Sequence, residues 1–231
     1  MGLRELKKEQ TRQLIADTAW RLFADRGFDR VTVAEVAREA QVAEATVFNY
    51  FPTKEDLFFF RLEAFGEHLL EAISTRETGE PLFVAFRRYV LQPGGLIAQV
   101  EAGDPRALER LRTVNRLIAA SPALLAREQQ AITRYADSLA ELISVETGAP
   151  TGDLRARVAA NALMGVHRAL LDYVRRRVLA DDEPLRLAAD VRRLGKRAFA
   201  LLENGLGDYA PKPASRNRNR TSNAGRGSED A

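Results

Sequence analysis

Apolar residues recur three and four apart along most of this chain, and the recurrence breaks only at clusters of glycine and proline. Leu14, Ile15, Thr18, Ala19, Leu22 and Phe23 predict a helix over about 4–26. Gly27 reads as a left-handed stop for it, with Phe28 packing back. Thr32 and Glu35 have capping-box spacing: the threonine oxygen can accept the Glu35 amide while the carboxylate reaches back. Val33, Val36 and Ala37 then give a short helix one apolar stripe, and Gln41 and Val42 fall where it breaks. Val47 and Phe51, four apart, line the inner face of the next short helix, which Pro52 ends. Thr53 with Asp56 caps a helix through Leu57, Phe60, Ala64 and Leu69 to about 74, whose Phe58–Phe59–Phe60 run must be covered on several sides.

Further on, Gly79-Glu80-Pro81 opens a helix to about 91, and Pro93-Gly94-Gly95 breaks the chain. Asp104-Pro105 and Ser121-Pro122 are caps followed by proline at the first helical position, and Gly148-Ala149-Pro150 ends the second of these helices. Long helices over 153–179 and 184–204 complete a predicted set of nine, an all-α chain. Two helices of about eight residues cannot bury a core alone. With the long helix in front they make either a generic three-helix bundle or a helix-turn-helix whose second helix can enter a DNA major groove.

The order of these features closely resembles the TetR family of bacterial transcription regulators. It runs long helix, Gly-Phe, Thr-capped short helix, Phe-x-Tyr-Phe, Pro-Thr-Lys-Glu-Asp-Leu, and the likeness is specific over residues 10–57. It implies a three-helix DNA-binding domain over 1–52 and a roughly six-helix effector-binding and dimerisation domain over 53–209. It also implies a repressor released from a palindromic operator by a small molecule. A helix-turn-helix regulator that is constitutive or answers to a protein partner is the alternative. By the same resemblance, Glu44, Ala45, Thr46, Phe48, Asn49, Tyr50 and Lys54 contact DNA and Thr32 meets a phosphate. Chemistry then assigns roles. Asn49 can pair bidentately with adenine and Glu44 can accept from a cytosine amino group; Thr46, Tyr50 and Lys54 suit phosphate anchoring. Three positions depart from the family's habit: Ala43 stands where serine is common, Glu44 where a donor is common, and Phe48 where tyrosine is common.

The last two helices carry a second pattern. Ala159, Leu163, Val166, Leu170 and Tyr173, and likewise Leu187, Val191, Leu194, Ala198 and Leu201, are spaced alternately four and three, a seam for near-parallel or antiparallel packing. Ala162, Gly165 and Ala169 add a strip of small residues. Packing within one chain satisfies this pattern; the resemblance favours a homodimer interface instead. The family's ligand site, inside the C-terminal helices, would draw on Phe65, Leu69, Phe86, Tyr89, Leu111, Tyr135 and Met164. Asn115, Asn161, His167 and Arg168 would be its polar candidates. An arginine in a mostly apolar cavity would favour an anionic or acyl ligand.

Charge changes the picture little. The formal +3 lies wholly in residues 210–231, where five basic residues face two acidic ones, and this segment without apolar periodicity reads as a disordered basic tail. DNA binding must therefore rest on local placement, such as Arg4, Lys7, Lys8 and Arg12. The absence of cysteine excludes disulfides and thiolate metal sites, and suits the cytoplasm. No apolar run reaches the roughly 18–20 residues of a membrane span, and the charged start has no secretory pattern. Two histidines and no glycine-rich phosphate loop argue against an enzyme, and no cofactor or metal is expected.

Overall fold

The computed structural model describes residues 2–60, 64–92, 95–180 and 186–206. Among them it forms eleven helices: α1 Leu3–Arg26, α2 Val33–Glu39, α3 Glu44–Tyr50, α4 Lys54–Phe59, α5 Ala64–Ser74, α6 Leu82–Leu91, α7 Gly95–Glu101, α8 Pro105–Ala120, α9 Pro122–Thr147, α10 Leu154–Leu179 and α11 Leu187–Leu206. The fold is all-α, as the periodicity predicts, with two differences in count. The predicted helix over 53–74 is two helices, α4 and α5, and residues 61–63 between them lie outside the described set. The seven-residue α7 differs from the break that Pro93-Gly94-Gly95 predicts, since so short a segment shows no period of its own. The tail over 210–231 lies outside the described residues.

Local chemistry fixes most helix ends. Thr32 and Thr53 each accept the amide three residues on and receive a carboxylate on their own amide, so both capping boxes form. Asp104 and Ser121 cap α8 and α9 ahead of proline. Gly27 ends α1 but not as a left-handed cap: at φ 86° and ψ 151° it occupies an extended region open only to glycine. Gly148, at φ 68° and ψ 20°, is the left-handed stop of α9.

Three apolar clusters hold the helices. The first joins α1–α4, through Ile15, Phe23, Phe28, Val36, Val47, Phe51 and Phe58, to Val114, Leu117, Ile118 and Leu124 of α8 and α9. Packing therefore does not stop at residue 52. The second unites α5, α6, α9, α10 and α11 around Leu69, Phe86, Leu139, Met164 and Phe199. The third gathers Val100, Leu111, Val174 and Leu187 beside α7. Leu111 thus sits apart from Phe65, Leu69, Phe86 and Tyr89, with which the ligand expectation grouped it.

The seam of α10 and α11 is largely used inside the chain. Leu163, Leu170 and Leu187 are buried; Val166, Tyr173, Val191, Leu194 and Ala198 are half-buried; Leu201 is 84% exposed. A methyl group at Gly195 would lie 2.3 Å from Leu91 and 3.3 Å from Leu170, so α11 is pressed onto α6 and α10 where it lacks a side chain. Leu163 packs in the second cluster, Leu187 in the third and Leu170 against Gly195, so these three residues expected at an interface are covered within the chain. Among the residues that α10 turns outward are the apolar or small Leu154, Val158, Gly165 and Ala169.

At one end of the body, Arg76 is only 3% exposed and its guanidinium is saturated. It donates to the carbonyls of Ile73 (2.8 Å) and Glu80 (2.9 Å) and to both carboxylate oxygens of Glu146 (3.0 and 2.5 Å). The arginine joins α5, the turn before α6 and α9 through charge-assisted bonds. Arg76→Met strands the Glu146 carboxylate and two carbonyls. Urea unfolding should show a loss of roughly 3–5 kcal/mol; a change below about 1 kcal/mol would mean the clasp is ornamental.

Candidate nucleic-acid interface

The reading head is built from the inside out. Its α2–α3 turn passes through Gln41, whose φ of 57° is a left-handed conformation costly for a residue with a Cβ. Two amides fix that turn: Gln41 N–H on the Arg38 carbonyl at 3.2 Å and Val42 N–H on the Ala37 carbonyl at 3.0 Å. Helix α3 follows without a side-chain cap, since Ala43 has none to offer, and stops at Phe51 with extended backbone. Val47 (0% exposed) and Phe51 (2%) pin its inner face to the first cluster.

The opposite face carries the residues expected at DNA. Glu44, Ala45, Phe48 and Asn49 are exposed, Phe48 to 45%, while Thr46 and Tyr50 are half-buried. Within the described residues, the Glu44 carboxylate and the Asn49 amide have no hydrogen-bond partner, so both can face base edges. The helix itself has no cation. Exposed cations of the head outside this helix include Arg4, Lys7, Lys8, Arg30 and Arg38. Arg30 and Arg38 were not singled out from the sequence, although Arg38 stands opposite the apolar pair Val36 and Ala37.

Three basic or polar positions turn out to be spent internally. Lys54 does not point at solvent as a phosphate anchor: its ammonium donates to the carbonyls of Phe28 and Val31, both at 3.1 Å, and sits 4.2 Å from the Phe28 ring centre. The turn after α1 exposes two carbonyls beside an aromatic face, and an ammonium satisfies all three at once. Arg12 lies over Phe60 at 4.4 Å and Phe51 at 5.7 Å, instead of forming part of a positive approach. Thr32 donates its hydroxyl to Glu35 (3.0 Å) and accepts the Glu35 amide (3.2 Å), which leaves it no proton for a phosphate. The Thr32 amide and then its hydroxyl hold the Glu35 carboxyl below its ordinary range.

Two polar bridges tie this head to the helical body. Arg127 of α9 donates to Asp56 of α4 at 3.0 Å, and Ser121 donates to Asp29 in the α1–α2 turn at 2.7 Å. Burial alone would raise the Asp56 carboxyl; hydrogen bonds from Thr53 and Arg127 outweigh it and hold the group low.

The family model described as bacterial regulatory proteins, tetR family, matches residues 15–59, and that of the MftR C-terminal domain matches residues 94–207. The chain belongs to the TetR family of transcriptional regulators. The matched N-terminal span contains α2, α3 and α4 entire, and regulators of this family bind DNA operators. It is similar to the HTH-type transcriptional regulator TcmR of Streptomyces glaucescens, 28% identical over 66% of this chain and 67% of that one. It is also similar to the nucleoid occlusion factor SlmA of Pasteurella multocida, 28% identical over 55% and 62%. The chain thus spans about two thirds of the length of these curated relatives. Its fold is shared with NalD of Pseudomonas aeruginosa, a secondary repressor of the MexAB-OprM efflux pump, at a TM-score of 0.54 and 20% identity over 83% of this chain and 96% of that one.

The residues expected around a ligand fall into two groups. Leu69, Phe86 and Met164 are buried in the second cluster, with Phe65, Tyr89 and Tyr135 packed against it and His167 stacked on Phe65 at 4.1 Å. Asn161 and Arg168 are exposed, and Asn161 bonds back to the Arg157 carbonyl at 2.8 Å. Asn115 is buried, and its amide is used on the Leu111 carbonyl at 2.8 Å. An outward-facing Asn161 or Arg168 cannot orient a molecule inside the body, which corrects their assignment.

The Lys54 geometry separates two roles by measurement. Lys54→Met should lower thermal stability by about 1–3 kcal/mol, because two carbonyls lose a charged donor, while the salt dependence of DNA binding stays put. An unchanged melting temperature with a salt slope reduced by about one would instead return Lys54 to the phosphates.

Proposed function

We propose that this regulator is a homodimeric repressor acting in the cytoplasm, a binding protein without catalysis, released from a palindromic operator by a small molecule held among its C-terminal helices. The observation that carries the reading is the outer strip of α3: Glu44, Ala45, Phe48 and Asn49 exposed on a helix whose other side is locked to the core. Asn49 has the donor and acceptor for the adenine edge, Phe48 offers a ring to a thymine methyl, and Glu44 accepts from a cytosine amino group. Two such strips must stand about 34–36 Å apart to read two half-sites, which requires a paired chain.

The strip Leu154, Val158, Gly165 and Ala169 of α10 supports the pairing. Leu154 and Val158 are 72% and 58% exposed, and small residues follow where another helix can approach closely. Release then works as a population shift. Arg127 and Ser121 connect the body to Asp56 and Asp29, so a ligand that moves the α8–α9 junction re-aims α3. Full switching needs a differential affinity of roughly 5.5 kcal/mol between the two states.

Selection of bound fragments from random DNA defines the operator. Asn49→Ala should then lose about 1–3 kcal/mol of discrimination at one adenine in each half-site, measured by titration against single-base variants. Undiminished discrimination contradicts the assignment. Pairing is tested separately by Gly165→Arg, since a side chain there meets nothing within 4 Å in the single chain. Sedimentation should show monomers of unchanged helicity; an intact dimer would move the interface elsewhere.

A further inference from the structure

Five polar or charged side chains outside the reading head are buried and hydrogen-bonded. Arg76 is saturated by carbonyls and Glu146; Thr113 accepts from Arg116; Asn115 donates to Leu111, Ser121 to Asp29 and Ser144 to Ala140. His167 is 9% exposed and differs from all of them: among the described residues its imidazole has no hydrogen bond. It lies flat on Phe65, with ring centres 4.1 Å apart and planes 7° from parallel. Phe65 is in turn flanked by Tyr89 at 5.5 Å and Tyr135 at 6.2 Å. These three flanking rings are half-buried while Leu69, Phe86 and Met164 beneath them are sealed, so solvent-reachable space borders the aromatic group. The imidazole nitrogens are not sealed from solvent, so the edge of the ring opens onto this space and can hydrogen-bond a molecule held there.

We infer that the effector binds against the Phe65–Tyr89–Tyr135 wall as an uncharged aromatic molecule, with a hydroxyl of phenol type hydrogen-bonded to the imidazole of His167. The inference rests on the effector reading above and names the ligand class. Burial pushes the imidazole down to about 4, so at neutral pH it is uncharged and offers one donor and one acceptor. A hydroxyl matches that pair; a carboxylate or phosphate does not, because among the described residues the one fully buried cation is already engaged. Arg76 is saturated, and Arg168 is exposed. The Tyr89 hydroxyl is already used on the Phe65 carbonyl at 3.3 Å. The anionic or acyl ligand that Arg168 suggested from the sequence is therefore replaced by a neutral hydroxyaromatic one.

The test is calorimetric titration of the full chain with matched aromatic triplets built on naphthalene and biphenyl, each as the phenol, its methyl ether and its carboxylate. The phenols should bind about tenfold more tightly than their ethers, the value of one hydrogen bond to a buried group, and the carboxylates weakest. His167→Phe should erase the phenol preference, and His167→Gln should retain part of it. In wild-type protein, phenol binding should shift the His167 ring resonances and leave those of exposed His68 in place. Carboxylates binding as tightly as phenols, no phenol binding, or a phenol preference surviving in His167→Phe would each overturn the inference. Operator release by a compound indifferent to His167 would sink this ligand class and leave the repressor reading standing. Phenol binding through His167 with the operator still held would do the reverse.

Discussion

The architecture depends on one packing constraint: the core of the reading head is closed by residues of the helical body. Phe23, Phe28 and Phe58 form an aromatic cluster, with centres 5.0–6.4 Å apart, that belongs to the same apolar unit as Leu117, Ile118 and Leu124. Helices as short as α2 and α3 supply too little apolar surface to stand alone, so their positions are set by what lies behind them. Each buried phenylalanine contributes roughly 1.5–3 kcal/mol; a hydrogen bond to a carboxylate is worth about as much, but the shared core holds many buried side chains against two such bridges. The apolar contact carries the attachment, and Asp56–Arg127 and Asp29–Ser121 fix its angle. A head joined in this way cannot rotate freely while the body stays still, which is the physical requirement for a regulator that senses at one end and reads at the other.

Much of the fold was legible because its determinants are local. Both threonine capping boxes, the proline-led starts of α8 and α9 and the inner stripe of α3 follow from residues three or four apart. Gly27 was legible as a stop but not in its geometry, since one glycine admits several positive-φ conformations and the packing of Phe28 chooses among them. Helix α7 was missed because seven residues show no period; its place comes from distant partners, including the ion pair of Glu101 with Arg192. The four-three seam of α10 and α11 was read correctly as a packing signal. Periodicity gives a buried face, however, and cannot say whether the burying surface belongs to the same chain.

The candidate site divides along the same line. Which side of α3 faces outward follows from Val47 and Phe51 alone. The roles of Lys54, Arg12 and Thr32 did not follow, because each is captured by a partner that the fold brings near: two carbonyls and a ring, two rings, and a neighbouring carboxylate. Cations in a family's DNA-contact positions look alike in sequence whether they are free or spoken for. The stack of His167 on Phe65 joins residues more than a hundred positions apart, beyond any local pattern.

Whether head and body are one cooperative unit decides the account. The chain's one tryptophan, Trp20, lies 5.7 Å from Phe58 in the head, while His167 reports from the body. Urea unfolding followed by Trp20 fluorescence and by the His167 ring resonance should give coincident transitions with one midpoint. A Trp20 transition complete while the His167 signal is still native would show a head that folds and moves independently, and would contradict the shared core.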